Sequence, residues 1–104
     1  RRMRVLLTAA AERDLEAIAD YIAADSPAHA LAFVRILREK CVELADFPRR
    51  FPIVPRYADR EIRRRVHGNY LILYRIEGKV VIVLRVMSGA QDYEGQLGSD
   101  ADIP

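Results

Sequence analysis

The densest charge in this chain is the run Arg60-Glu61-Ile62-Arg63-Arg64-Arg65. A guanidinium is a planar fork that donates two parallel hydrogen bonds, so it suits phosphate and carboxylate recognition. On an extended strand Glu61, Arg63 and Arg65 project to one side, while Ile62 and Arg64 project to the other. Arginines on both sides also mark an edge strand, where charge blocks unwanted pairing. Tyr70, Tyr74 and Tyr93 add rings that either stack on nucleic-acid bases or pack as ordinary amphipathic side chains.

Other chemistries find little support. His29 and His67 are the only two histidines, and neither stands at a ligand spacing with a carboxylate or with Cys41. His29 reads as a solvated helix residue and His67 as a turn residue beside Gly68. Cys41 is the single cysteine and falls on an apolar helical stripe, where burial makes a thiol inert rather than nucleophilic. None of the five glycines forms a phosphate-binding loop between a strand and a helix. The expectation is no metal, no cofactor and no catalytic set.

Charge is unevenly spread. Residues 1–48 carry seven basic and eight acidic side chains; residues 49–87 carry ten basic and three acidic; residues 88–104 carry four acids and no base. The basic middle segment points to an anionic partner, either nucleic acid or an acidic protein surface, or else to a solvated strand face. A chain of 104 residues with 51% apolar content supports one core without disulfides. No apolar run approaches the ~18 residues of a membrane span. Arg1-Arg2-Met3-Arg4 leads straight into a strand-like segment with no secretory core, so the expected setting is cytoplasmic.

The elements that must position these groups are legible in the spacing. Residues 3–8 read as a strand, and Thr8 is placed to cap a helix running to about Ala24. Leu15, Ile18, Ala19 and Ile22 form its buried stripe. Ser26 and Pro27 supply a cap and a first helical residue for a second helix to about Phe47. Its apolar face is Ala30, Phe33, Val34, Leu37, Cys41, Leu44 and Ala45, and Pro48 ends it. A loop with Pro48, Pro52 and Pro55 follows, then strands at 60–67, 69–76 and 79–87.

A Glu77-Gly78 turn sets Tyr74 opposite Val81, Ile72 opposite Val83 and Tyr70 opposite Arg85. Leu71, Leu73, Val80, Ile82, Leu84 and Val86 are then expected beneath the helices. Tyr70, Ile72, Tyr74, Val81, Val83 and Arg85 fall on the other face, too apolar to lie bare in water. The fold class is α+β: an N-terminal strand and an antiparallel two-helix hairpin packed on a mainly antiparallel sheet ending in a C-terminal hairpin. Residues 1–97 form one domain and residues 98–104 a flexible tail.

The order of these pieces resembles the RelE/ParE superfamily of toxins from type II toxin–antitoxin systems, most of all its ParE branch. The similar residues are Ala11, Asp14, Leu15, Ile18, Tyr21 and Ile22 in the first helix, and Ser26-Pro27 with Ala30 and Phe33 in the second. Leu44, Phe47, Pro48 and Arg63 match the middle. Tyr70, Ile72, Tyr74, Arg75 and Ile76, with the strand from Val80 to Val86, match the final hairpin.

The resemblance implies one of two activities: RelE-like cleavage of messenger RNA on the ribosome, or ParE-like binding and inhibition of DNA gyrase. Leu71 stands where RelE-like members carry an arginine, and Met87-Ser88-Gly89-Ala90-Gln91-Asp92 replaces a basic segment, so only Tyr93 matches their catalytic set. RNA cleavage without those cations would lose transition-state stabilisation. The implied function is therefore a non-enzymatic gyrase inhibitor, acting on gyrase with its DNA and neutralised in a hetero-oligomer by a cognate antitoxin. A RelE-type endoribonuclease and a non-toxic antitoxin-binding module are the alternatives. Arg63, Arg65, Arg85, Met87, Ser88, Gln91 and Tyr93 are the expected target-facing residues. Tyr70, Ile72, Tyr74, Val81 and Val83 are the expected antitoxin surface.

Overall fold

Thr8 joins the first strand to the first helix with both ends of its hydroxyl. The oxygen accepts from the Ala11 amide at 3.1 Å, and the proton goes to the Leu84 carbonyl at 2.9 Å, 76 residues away. The computed structural model describes residues 3–89 and Ile103. The order is β1 (Arg4–Leu7), α1 (Ala9–Ala23), α2 (Pro27–Val42), β2 (Arg63–His67), β3 (Tyr70–Glu77) and β4 (Val80–Ser88). Ser26 caps α2 by accepting from the His29 amide at 3.2 Å, with Pro27 in the first turn. The helices lie against each other as a hairpin. The α-helical part of α2 stops at Val42 rather than near Phe47, and 3-10 turns follow at Glu43–Ala45, Pro48–Arg50 and Pro55–Arg60.

The four strands run in the order β1-β4-β3-β2, with β1 parallel to β4 and the other pairs antiparallel. The α+β class holds as expected. The arginine strand β2 is at an edge, and its start is covered: Ile53 bridges to Arg63, and the Arg64 amide donates to the Pro52 carbonyl at 3.0 Å. It begins at Arg63 rather than Arg60, because Glu61 turns the chain with a φ of 53°.

The final hairpin differs in register. Glu77 pairs with Val80, so the loop is Gly78-Lys79, not Glu77-Gly78, and Tyr74 faces Val83 rather than Val81. The first loop position of a type II′ turn needs positive φ, and Gly78 supplies it at 61°. The register then shifts between Leu73 and Tyr74, which face Arg85 and Val83. Leu84 is the extra residue of a β-bulge.

The two faces are reversed from the expected assignment up to the bulge, beyond which Val86 lies beneath the helices as expected. Ile72, Tyr74, Val81, Val83 and Val86 are buried with Ala11, Leu15, Ile18, Leu37, Cys41 and Leu44, in the layer between helices and sheet. Leu71, Leu73 and Leu84 are on the opposite face, in a second cluster with Val54, Tyr57, Ile62 and Ile103. Alternation sorts side chains into two sets, but when both sets are apolar it does not say which set meets the helices. The 52–62 segment covers the second face. Ile72, Tyr74, Val81 and Val83 have no exposed surface, so the open sheet face expected to meet an antitoxin is instead part of the core. Of that group only Tyr70 remains partly accessible. The expected tail at 98–104 lies outside the described residues except for Ile103, which is buried in the second cluster and accepts from the Arg60 guanidinium at 3.4 Å.

Candidate functional site

Each arginine expected to face a target is engaged inside the fold. One terminal nitrogen of Arg63 donates to the carbonyls of Arg49 and Phe51, at 2.9 and 2.7 Å. Arg65 donates to the Lys40 carbonyl at the end of α2 and to the Glu43 carboxylate, both at 2.9 Å. Its guanidinium also lies 5.0 Å from the centre of the Phe51 ring, a cation–π distance. The hydrogen bond from Arg65 holds the Glu43 carboxyl below its ordinary pKa. Arg85 grips Asp14 of α1 with Nε and a terminal nitrogen, at 2.7 and 2.9 Å. A bidentate pair of this kind fixes direction as well as charge. Asp14 also accepts the Val86 amide at 2.9 Å, so it braces β4 beside the bulge.

These bonds hold the segment after α2 in a defined shape. The Tyr74 hydroxyl, fully buried, donates to the Pro48 carbonyl. Burial pushes the Tyr74 phenol up to about 12, so it is a neutral donor rather than an acid/base group near neutrality. Burial likewise pushes the Cys41 thiol up to about 12, which leaves it un-ionised and unreactive.

Clamped at Arg49, Phe51 and Pro48, the chain passes through Phe47 with φ 53° and ψ 56°. That left-handed conformation costs an L-residue ~1–2 kcal/mol. The following proline disfavours the right-handed helical alternative. The Phe47 ring is 78% exposed, so packing does not explain its presence. With Met3, Ala45, Asp46, Pro48, Arg49 and Arg50 it lines a cavity of about 590 Å³. No local sequence signal beyond the Phe47-Pro48 pair marks this position; the strain appears only once Pro48 and Arg49 are anchored from β2 and β3.

A second groove, of about 370 Å³, is lined by Ala17, Ile18, Tyr21, Asn69, Tyr70 and Ser88. Tyr21 is 80% exposed beside it. Tyr70 packs its ring 5.1 Å from that of Phe33, which lies between His29 and His67 at 6.2 and 6.4 Å. The structure thus brings Tyr70 and Ser88 to one surface, while Met87 packs against the second core cluster. Gln91 and Tyr93 lie outside the described residues. Among the described residues no three His, Cys, Asp or Glu side chains converge as metal ligands, and no helix is long and apolar enough to cross a membrane.

Solved structures share this architecture. The chromosomal ParDE TA system from P. aeruginosa matches with a TM-score of 0.70 at 24% identity, over 84% of this chain and 96% of that one. The toxin–antitoxin complex RelBE2 from Mycobacterium tuberculosis matches with a TM-score of 0.63 at 24% identity, over 85% of this chain and 99% of that one. Identities this low speak for the fold. No curated protein sequence matches significantly. The family described as the ParE toxin of the type II toxin–antitoxin system, parDE, matches residues 5–93, and with the strand order and helix hairpin above this makes the chain a member of the ParE toxin family, within the RelE/ParE superfamily.

Proposed function

We propose that this chain acts by binding rather than by catalysis, that its target is DNA gyrase in its DNA-bound state, and that a cognate antitoxin neutralises it in the cytoplasm. The observation that carries the reading is the engagement of Arg63, Arg65 and Arg85 by acceptors of the chain itself. An RNA-cleaving site needs cations aimed at a scissile phosphate. Here the best-placed cations are aimed at carbonyls and carboxylates that shape the fold. Leu71, where the ribonuclease branch carries an arginine, is fully buried. Tyr74 is buried with its proton committed to Pro48.

Antitoxin binding falls on the helix hairpin rather than on the hairpin face of the sheet. Tyr21 and Leu31 are exposed there at 80% and 65%, and Tyr21 lines the groove that also holds Tyr70 and Ser88. An amphipathic helix or an extended segment bearing apolar anchors suits such a surface. The test is expression in cells, alone and with its antitoxin. Arrested growth with DNA damage, relieved by the antitoxin, is the expected result. Unimpaired growth with folded protein would make the chain a non-toxic antitoxin-binding module, and arrest with cleaved messenger would make it a ribonuclease.

A further inference from the structure

We propose that the segment Asp46–Arg50 is a preformed docking site for an acidic, apolar-anchored segment of a partner protein. The inference goes beyond the choice of gyrase as target and does not depend on it. Three features meet at this segment. Phe47 is a strained, exposed aromatic residue. Residues held in sparsely populated backbone conformations by surrounding structure tend to serve function rather than stability. The restraint is identifiable: Arg63 holds the Arg49 and Phe51 carbonyls, and Tyr74 holds that of Pro48. The surface therefore loses little freedom on binding.

The lining chemistry selects the occupant. Met3, Ala45 and Pro48 give the cavity apolar walls, and its roughly 590 Å³ admits large side chains of a partner. Arg49 and Arg50 are exposed at its rim, the Arg50 guanidinium 4.9 Å from the centre of the Phe51 ring, and together they exceed the single carboxylate of Asp46. An exposed aromatic residue flanked by arginines has the composition of a binding hot spot. A nucleic-acid groove would need the line of cations to continue along a backbone. It does not continue, because the neighbouring Arg63 and Arg65 are turned onto carbonyls and Glu43. Two cations over an apolar cavity match carboxylates beside an apolar anchor.

Phe47→Gly separates binding from folding. Glycine adopts positive φ without strain, so this variant keeps or raises the melting temperature while removing the aromatic anchor. The probe is a short fluorescein-labelled peptide alternating glutamate with leucine, titrated by anisotropy at low salt into the intact chain, alongside its glutamine-for-glutamate counterpart and a labelled oligothymidylate. We expect saturable binding of the acidic peptide and at least tenfold weaker binding of the glutamine peptide. Phe47→Gly, at unchanged or higher melting temperature, and the double variant Arg49→Glu/Arg50→Glu, which also gives up the Arg50 contact with the Phe51 ring, should each weaken acidic-peptide binding at least tenfold. No peptide binding, equal binding by the variants, or binding of the oligonucleotide alone would overturn the proposal.

Discussion

The Arg85 guanidinium holds the Asp14 carboxylate at 2.7 and 2.9 Å across 71 residues of sequence, and so locks α1 to the bulge of β4. The pair is mostly shielded, with side-chain exposures of 22% and 15%. Removing one partner takes the two-point bond away from a charge that is largely out of water. Asp14→Asn is expected to cost about 1–3 kcal/mol in urea unfolding, and Arg85→Lys should recover little, since an ammonium cannot reproduce the two-point fork. A loss below about 0.5 kcal/mol would mean that the pair does not brace the fold.

The reversed hairpin faces make a sharp distinction at Ile72. A residue on a solvent-facing sheet surface changes stability by only a few tenths of a kcal/mol when truncated. Ile72 is fully buried beneath the helices, so Ile72→Ala should cost about 2–5 kcal/mol. Leu71→Ala should cost a similar amount, because Leu71 is buried on the other face. Chemical denaturation of both variants measures this directly.

The helices, their caps, the C-terminal hairpin and the α+β class are legible in the sequence because each rests on local chemistry: Thr8 and Ser26 as caps, Pro27 in a first turn, Gly78 at a hairpin. Three features are not. The bulge at Leu84 shifts the register by one residue without any glycine or proline to announce it. The placement of Ile72 and Tyr74 depends on which face the 52–62 segment covers, a long-range fact. The roles of Arg63, Arg65 and Arg85 depend on acceptors 12 to 71 residues away. A charge run shows that cations are present, and only the fold shows where they are spent.

The Tyr74 hydroxyl ties the Phe47–Phe51 segment to the sheet through the Pro48 carbonyl. Tyr74→Phe keeps the ring's packing and leaves that buried carbonyl without its donor. The expected loss is about 1–2 kcal/mol, with faster amide exchange around Arg49 and Arg50. Unchanged exchange there would show that other contacts hold the segment.

Stability should fall on the alkaline side. Cys41 and Tyr74, ordinarily titrating near 9.0 and 10.0, are both held un-ionised to about 12 in the folded chain. Between pH about 9 and 12 the unfolded chain releases protons that the folded chain keeps, so unfolding becomes easier as pH rises. Cys41→Ala removes one of the two groups and should make the decline shallower between pH 8 and 11. On the acid side the lowered Glu43 pKa works in the opposite sense: its bond with Arg65 is present above the ordinary carboxylate range and is lost as pH falls through its folded value. That contribution is small because Glu43 is solvated.

Whether this chain binds gyrase rather than cutting RNA is decided most directly with the purified chain, gyrase, ATP and relaxed plasmid. Dose-dependent loss of supercoiling, with linear DNA released after denaturing the complex, is the expected result. A parallel translating extract should show intact messenger. Undisturbed supercoiling together with messenger cleavage would contradict the binding mechanism and make the chain a ribonuclease.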